Sequence, residues 1–187
     1  SKGQEILKLM FKDFLTQYNS RSISKVVGIS HSGAFKILKK LEKNEIVNSK
    51  SIGKARVYSI NFDSRIACKE IEIALAIEAK NYNRWLEEFK DLEDKADFVI
   101  LFGSILINSS SARDIDLLVV AEKNKLSEIR NIIKEIEKLS NKKIHLILQN
   151  PDEFKGDIKN RNKVMIEIIK KGVALFGQDK LREELTG

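Results

Sequence analysis

At 187 residues the chain has room for one domain or two small ones, and it can bury roughly 70% of its unfolded surface without disulfide or metal staples. Its 42% hydrophobic and 33% charged content excludes a disordered tail; the lack of any span-length apolar run or N-terminal signal core, and a lone cysteine (Cys68), lead us to expect a cytoplasmic protein with no membrane partner. The net charge of +7 is uneven: residues 1–62 hold 12 Lys and Arg against 4 Asp and Glu, while the remainder holds 22 against 23, so a polyanion partner is expected at the N-terminal third.

Apolar residues at Ile6, Leu7, Leu9, Met10, Phe11, Phe14 and Leu15 predict an amphipathic helix from Gln4 to Tyr18, broken by Asn19-Ser20-Arg21. A short helix is expected over residues 22–27, then a turn at Gly28-Ile29-Ser30. Ser30 is placed to cap a third helix from His31 to Lys43, with Ala34, Ile37, Leu38 and Leu41 inward. Alternation through Arg56, Tyr58 and Ile60, with Gly53-Lys54 before it, predicts a β-hairpin.

Helix, helix, glycine turn, helix and hairpin, in that order over residues 4–62, resemble a winged helix-turn-helix. That resemblance implies a DNA-binding domain over residues 1–62, with the third helix in the major groove of double-stranded DNA. The side chains then facing DNA are His31, Ser32, Lys36, Lys39 and Lys40, with Lys54 and Arg56 from the wing. Lysines position a protein on phosphates more than they read bases, so a large salt-dependent term is expected. Winged helices also serve as protein-docking modules, and that reading stays open here.

Residues 64–94 contain neither Gly nor Pro and predict one long helix or two abutting ones, a connecting segment over 63–95. Its apolar stations are Ile66, Ile71, Ala74, Leu75, Tyr82, Trp85, Phe89 and Leu92. The early part is suited either to pairing with its copy in a homodimer or to packing on its own chain.

Two apolar runs, 98–102 and 117–120, read as buried strands. The first ends in Gly103-Ser104, where a glycine allows close backbone approach by a phosphate and the hydroxyl can bond it. The second is entered through Asp114 and Asp116, which strand alternation puts on one face, away from Ile115 and Leu117. Two adjacent carboxylates repel, and a divalent cation with oxygen ligands, Mg²⁺ first, is the natural compensation. Beyond them we expect a helix over 125–140, a strand over 143–148, a short helical turn opened by Asn150-Pro151, a helix over 157–171 and a closing segment, Gly172 to Gly177.

Phe102-Gly103-Ser104, Asp114-Ile115-Asp116 and the closing Gly172-Val-Ala-Leu-Phe-Gly177 together resemble the polymerase-beta type of nucleotidyltransferase, in size its minimal branch. The resemblance implies a nucleotidyltransferase-like domain over 96–187: a mixed sheet flanked by helices. The fold class of the whole is thus mixed α+β. By the same resemblance Asp114 and Asp116 are metal ligands and catalytic, Gly103 and Ser104 grip phosphates, and the cofactors are Mg²⁺ (or Mn²⁺) and an NTP, with ATP first. A third carboxylate belongs on the 143–148 strand, but the face-matched residue is His145, either a general base or a surface relic. The family's nucleotide-contacting arginine turn is also missing after Ser104; Arg113 either substitutes for it or pairs with Asp114.

Two readings follow. One is a DNA-binding nucleotidyltransferase that moves NMP to a protein or other hydroxyl acceptor, as antitoxins of this branch do. The other is a transcription regulator whose transferase domain is inactive and serves as nucleotide sensor or dimer scaffold.

Overall fold

The computed structural model describes residues 1–187, which fall into two units, Ser1–Ala74 and Leu75–Gly187. In the first, α1 (Lys2–Lys12) opens with a capping box between Ser1 and Gln4 and buries Ile6, Leu7, Met10 and Phe11. It stops six residues short of the expected Tyr18. Asp13 leaves helical geometry, and Tyr18 joins a two-residue strand, β1 (Tyr18–Asn19), through tertiary pairing that outweighs local helix preference. The Tyr18 hydroxyl donates to Asp13 Oδ2 at 2.6 Å, closing the loop between them.

Asn19 caps α2 (Ser20–Val27), which starts two residues before the predicted Ser22, and Gly28 ends it at φ +70°. Ser30 accepts the Gly33 amide and opens α3 (His31–Lys43), with the bounds expected from sequence. The hairpin β2 (Val47–Ile52) and β3 (Ala55–Ile60) turns at Gly53-Lys54, and the antiparallel sheet runs β1-β3-β2. The unit is a helix-turn-helix with a wing, cored by α1 together with Ile23, Ala34, Leu38 and Ile46.

The connecting segment is two helices and a turn: α4 (Arg65–Lys80), α5 (Asn83–Glu88) and a 3-10 turn at Lys90–Leu92. Ile71, Ala74, Leu75, Trp85, Phe89 and Leu92 are buried as expected. Ile66 is not: it is 61% exposed, and Ile73 and Ile77 are 48% and 49% exposed at positions that a 3.6-residue period puts on the same side of α4.

The second unit is built on a sheet ordered β6-β5-β4-β7. The strand β4 (Phe98–Phe102) runs antiparallel to β5 (Asp114–Val120) and to β7 (Val173–Phe176). After β5 the chain crosses through α6 (Leu126–Leu139) and returns as β6 (Lys143–Gln149), parallel to β5. Val99, Leu101, Ile115, Leu117 and Val119 share a core with Trp85, Phe89, Ile129 and Ile133. On the opposite face Phe98 meets Phe154 edge-on at 4.9 Å between ring centres.

Asn150 and Glu153 form the capping box of α7 (Pro151–Lys159), a nine-residue helix rather than a single turn. The single helix expected over 157–171 is instead split. Arg161 sits at φ +51° and Asn162 caps a separate α8 (Lys163–Lys171). A final α9 (Gln178–Thr186), not anticipated from sequence, follows Gly177, where any Cβ would collide with the carbonyl of Asp97. The mixed α+β architecture holds, and no helix is long and apolar enough to cross a membrane.

Candidate functional site

The acidic pair forms because β5 alternates. Ile115 and Leu117 are fully buried, so Asp114 and Asp116 emerge together on the other face, each half-buried. The register of the parallel neighbour sets His145 opposite Asp116. Its Nδ1 lies 3.3 Å from Asp116 Oδ1 and its Nε2 4.0 Å from Asp114 Oδ1, so one imidazole contacts both carboxylates. The start of β6 is fastened by the Ile144 amide donating to Glu137 Oε1 at 2.9 Å and by Lys142 Nζ donating to the Ala112 carbonyl.

From the other side, β4 pairs Phe102 with Asp116 and ends at Gly103, which adopts φ +81°. A Cβ at Gly103 would collide with Asp116 Oδ2 and come within 3.1 Å of its Cγ. The glycine therefore serves two ends: it permits a left-handed backbone, and it lets a carboxylate nest against the main chain. Ser104 is exposed at the start of a 3-10 turn (Ser104–Leu106) that packs beside β5. Gly103, Ser104, Asp114, Asp116 and His145 are thus gathered at one end of the sheet.

Arg113 is exposed one residue upstream. The Ser109–Ser111 loop before it is shaped by Asn108 Oδ1, which accepts the amides of Ser110 and Ser111 at 3.2 Å.

No group of three or more His, Cys, Asp and Glu side chains is arranged to hold an ion by itself. Two neighbouring carboxylates beside an open backbone do fit a hard cation that keeps waters and arrives with a phosphate, which is how Mg²⁺ is commonly bound. The donor set fits that group as a partial site completed by its ligand. It does not form a closed cage.

Next to Gly103 the end of β4 and α8 border a cleft of about 430 Å³ lined by Phe102, Lys163, Val164, Glu167, Ile168 and Lys171. Sequence reasoning missed the break before α8 by treating 157–171 as one helix. The signal was the Asn160-Arg161-Asn162 run, a cap placed inside the predicted helix.

In the first unit, the predicted DNA-facing residues divide. His31, Ser32, Lys36 and Lys40 on α3 and Lys54 on the wing are exposed. Lys39 and Arg56 are committed to Glu42: Lys39 Nζ donates to Oε2 at 3.0 Å and Arg56 Nη2 to Oε1 at 2.7 Å. Ser49 donates to the same carboxylate and accepts from Arg56 Nε at 2.7 Å. These hydrogen bonds, Ser49 first and then Lys39 and Arg56, hold the Glu42 carboxyl down at about 2. The cluster straps the hairpin to α3. His31 Nε2 is engaged as well, 2.8 Å from Ser20 Oγ.

Residues 84–181, just over half of the chain, match the family described as polymerase beta, nucleotidyltransferase. No curated protein gave a significant match. A solved structure, a cysteine-to-serine mutant of ZitR from Lactococcus lactis, is 19% identical over 59% of this chain and 67% of its own, at a TM-score of 0.35.

Proposed function

Because this chain belongs to the polymerase beta nucleotidyltransferase family, we propose that its second unit binds a Mg²⁺-complexed NTP, ATP first, and transfers the NMP group to a hydroxyl, with a protein side chain as the leading acceptor. Gly103 and Ser104 hold the β- and γ-phosphates through the close backbone and the exposed hydroxyl. Asp114 and Asp116 supply the oxygens that receive the cation. When bound, the metal neutralises charge on the phosphates and favours departure of pyrophosphate. In the transfer an acceptor oxygen bonds to the α-phosphorus as the α-phosphorus–bridging oxygen bond breaks, and pyrophosphate leaves with that oxygen. In this reading His145, on the far side of Asp116 from Gly103, takes the acceptor's proton; its position opposite Asp116 supports that role. Arg113 is the one cation of the preceding loop available to a phosphate.

The observation that carries this reading is the nesting of the Asp116 carboxylate against Gly103, which joins the acidic pair to the glycine-serine turn. Incubation with labelled ATP tests it. Label transfer or pyrophosphate release should appear with the parent and vanish with Asp114→Ala/Asp116→Ala. The imidazole in the third carboxylate's position favours a second reading, a regulator that binds nucleotide without turnover. Saturable Mg²⁺–ATP binding with neither product would select it.

The first unit is proposed to bind duplex DNA in the cytoplasm and so to couple the second unit to transcription. Supporting it are the basic excess of residues 1–62 and the exposed His31, Ser32, Lys36, Lys40 and Lys54. Lys39 and Arg56 act by holding the wing. Affinity should fall steeply with salt, and Lys36→Ala/Lys40→Ala should lower the log–log slope by about two. Undetectable binding at low salt would end the proposal. A homodimer through α4 completes it, with Ile66, Ile73 and Ile77 as the shared face.

A further inference from the structure

Between α2, α3 and the wing lies a cleft of about 320 Å³ lined by Ser20, Arg21, His31, Phe35, Lys54 and Tyr58. Four features of it point the same way. The first turn of α2 opens on it, and the Asn19 cap takes only the Ser22 amide, at 2.9 Å, so the partial positive charge of that helix end is retained. Arg21 and Lys54 are exposed on its two sides, while neighbouring Arg56 is already held by Glu42. No acidic side chain lines it. Beneath it Tyr58 is only 5% exposed, and its hydroxyl is buried without a hydrogen-bond partner.

Folded proteins seldom leave a buried hydroxyl unpaired, and an orphan of this kind marks a place where a partner belongs. Here the partner must accept hydrogen bonds, carry negative charge and meet donors from several directions. A tetrahedral phosphate satisfies all three.

We infer that this cleft is a phosphate seat, with Arg21 and Lys54 as its cations, the α2 terminus as its dipole and the Tyr58 hydroxyl as the donor at its floor. The phosphate comes either from the backbone of DNA or from a free phosphate. The first source rests on the DNA-binding reading above; the second does not.

The test uses the full chain and two variants, Tyr58→Phe and Arg21→Gln. Duplex DNA binding is followed by fluorescence anisotropy from 50 to 200 mM salt, at about the range where phosphate contacts dominate. Melting temperature is followed with and without inorganic phosphate. For a DNA phosphate, Tyr58→Phe weakens DNA binding about fivefold while the free protein melts no lower, and Arg21→Gln also reduces the salt slope by about one. For a free phosphate, inorganic phosphate raises the melting temperature of the parent but of neither variant, and DNA affinity is unchanged. A parent that binds no DNA sinks the DNA reading and leaves the phosphate arm to decide the seat. If both variants match the parent in affinity, salt slope and response to phosphate, the seat does not exist. If Tyr58→Phe melts lower than the parent while Arg21→Gln behaves as the parent throughout, the phenol is structural and the inference is overturned.

Discussion

The carboxylate of Asp116 occupies the space in which a side chain at Gly103 would stand. That one contact ties the end of β4 to the entrance of β5 and makes the glycine a requirement of the acidic pair as much as of any bound phosphate. Gly103→Ala should therefore carry two penalties, a strained backbone at φ +81° and a displaced carboxylate. We expect a loss of about 1–3 kcal/mol in stability and loss of Mg²⁺–ATP binding, read by thermal unfolding and calorimetry. An alanine variant that binds and melts like the parent would show that the nesting is dispensable.

His145 stands where a third carboxylate is expected, and its side chain is 52% exposed. His145→Ala should leave the melting temperature unchanged, because little packing is lost. Label transfer by His145→Ala should fall by about 100-fold, the lower end of what a well-placed proton acceptor contributes, and His145→Asp should restore part of it. An alanine variant that transfers label at the parent's rate would move the activating group elsewhere.

Glu42 gives a prediction in pH. Its folded value of about 2 lies below the ordinary 4.5, so the folded state binds this proton more weakly than the unfolded state. The contribution is fully present above pH 4.5 and is lost as pH falls toward 2. Glu42 is 23% exposed and solvent screens its ion pairs, so the contribution is about 1 kcal/mol. Glu42→Gln should cost that amount at pH 7, and the gap between variant and parent should close on acidification. A gap that persists at pH 2 would mean the loss comes from packing instead.

The exposed isoleucines of α4 predict a concentration-dependent dimer. Ile73→Asp, at the middle of the row, should give a monomer by light scattering while the melting temperature of dilute protein is unchanged. A parent that is monomeric at working concentration would leave these side chains as ordinary surface.

The strands of the second unit were plain in the sequence because they are short, apolar and punctuated. Asp114 and Asp116 could be put on one face by counting alternate residues, and His145 could be matched to them by the same count. Helix ends were less legible. Tyr18 looks helical until β3 is available to pair with it, a partner 40 residues away. The Asn160–Asn162 break was hidden because the apolar period continues across it. Least visible were the commitments of charged side chains: nothing local says that Arg56 reaches Glu42 across 14 residues while Lys54 stays exposed.

β5 and β6 form the only parallel pair of their sheet, and β6 is reached by a helical crossover rather than a hairpin. Which residue confronts Asp116 is therefore decided at a distance, by how Ser140-Asn141-Lys142 ends that crossover. One residue more or less there would swap the imidazole for Ile144 or Leu146 and turn an apolar row outward. Position 145 itself can change by a single codon with little cost to the fold, whereas Gly103 cannot. The centre is thus built from one immovable part and one exchangeable part, and selection can retune its chemistry through the exchangeable part alone.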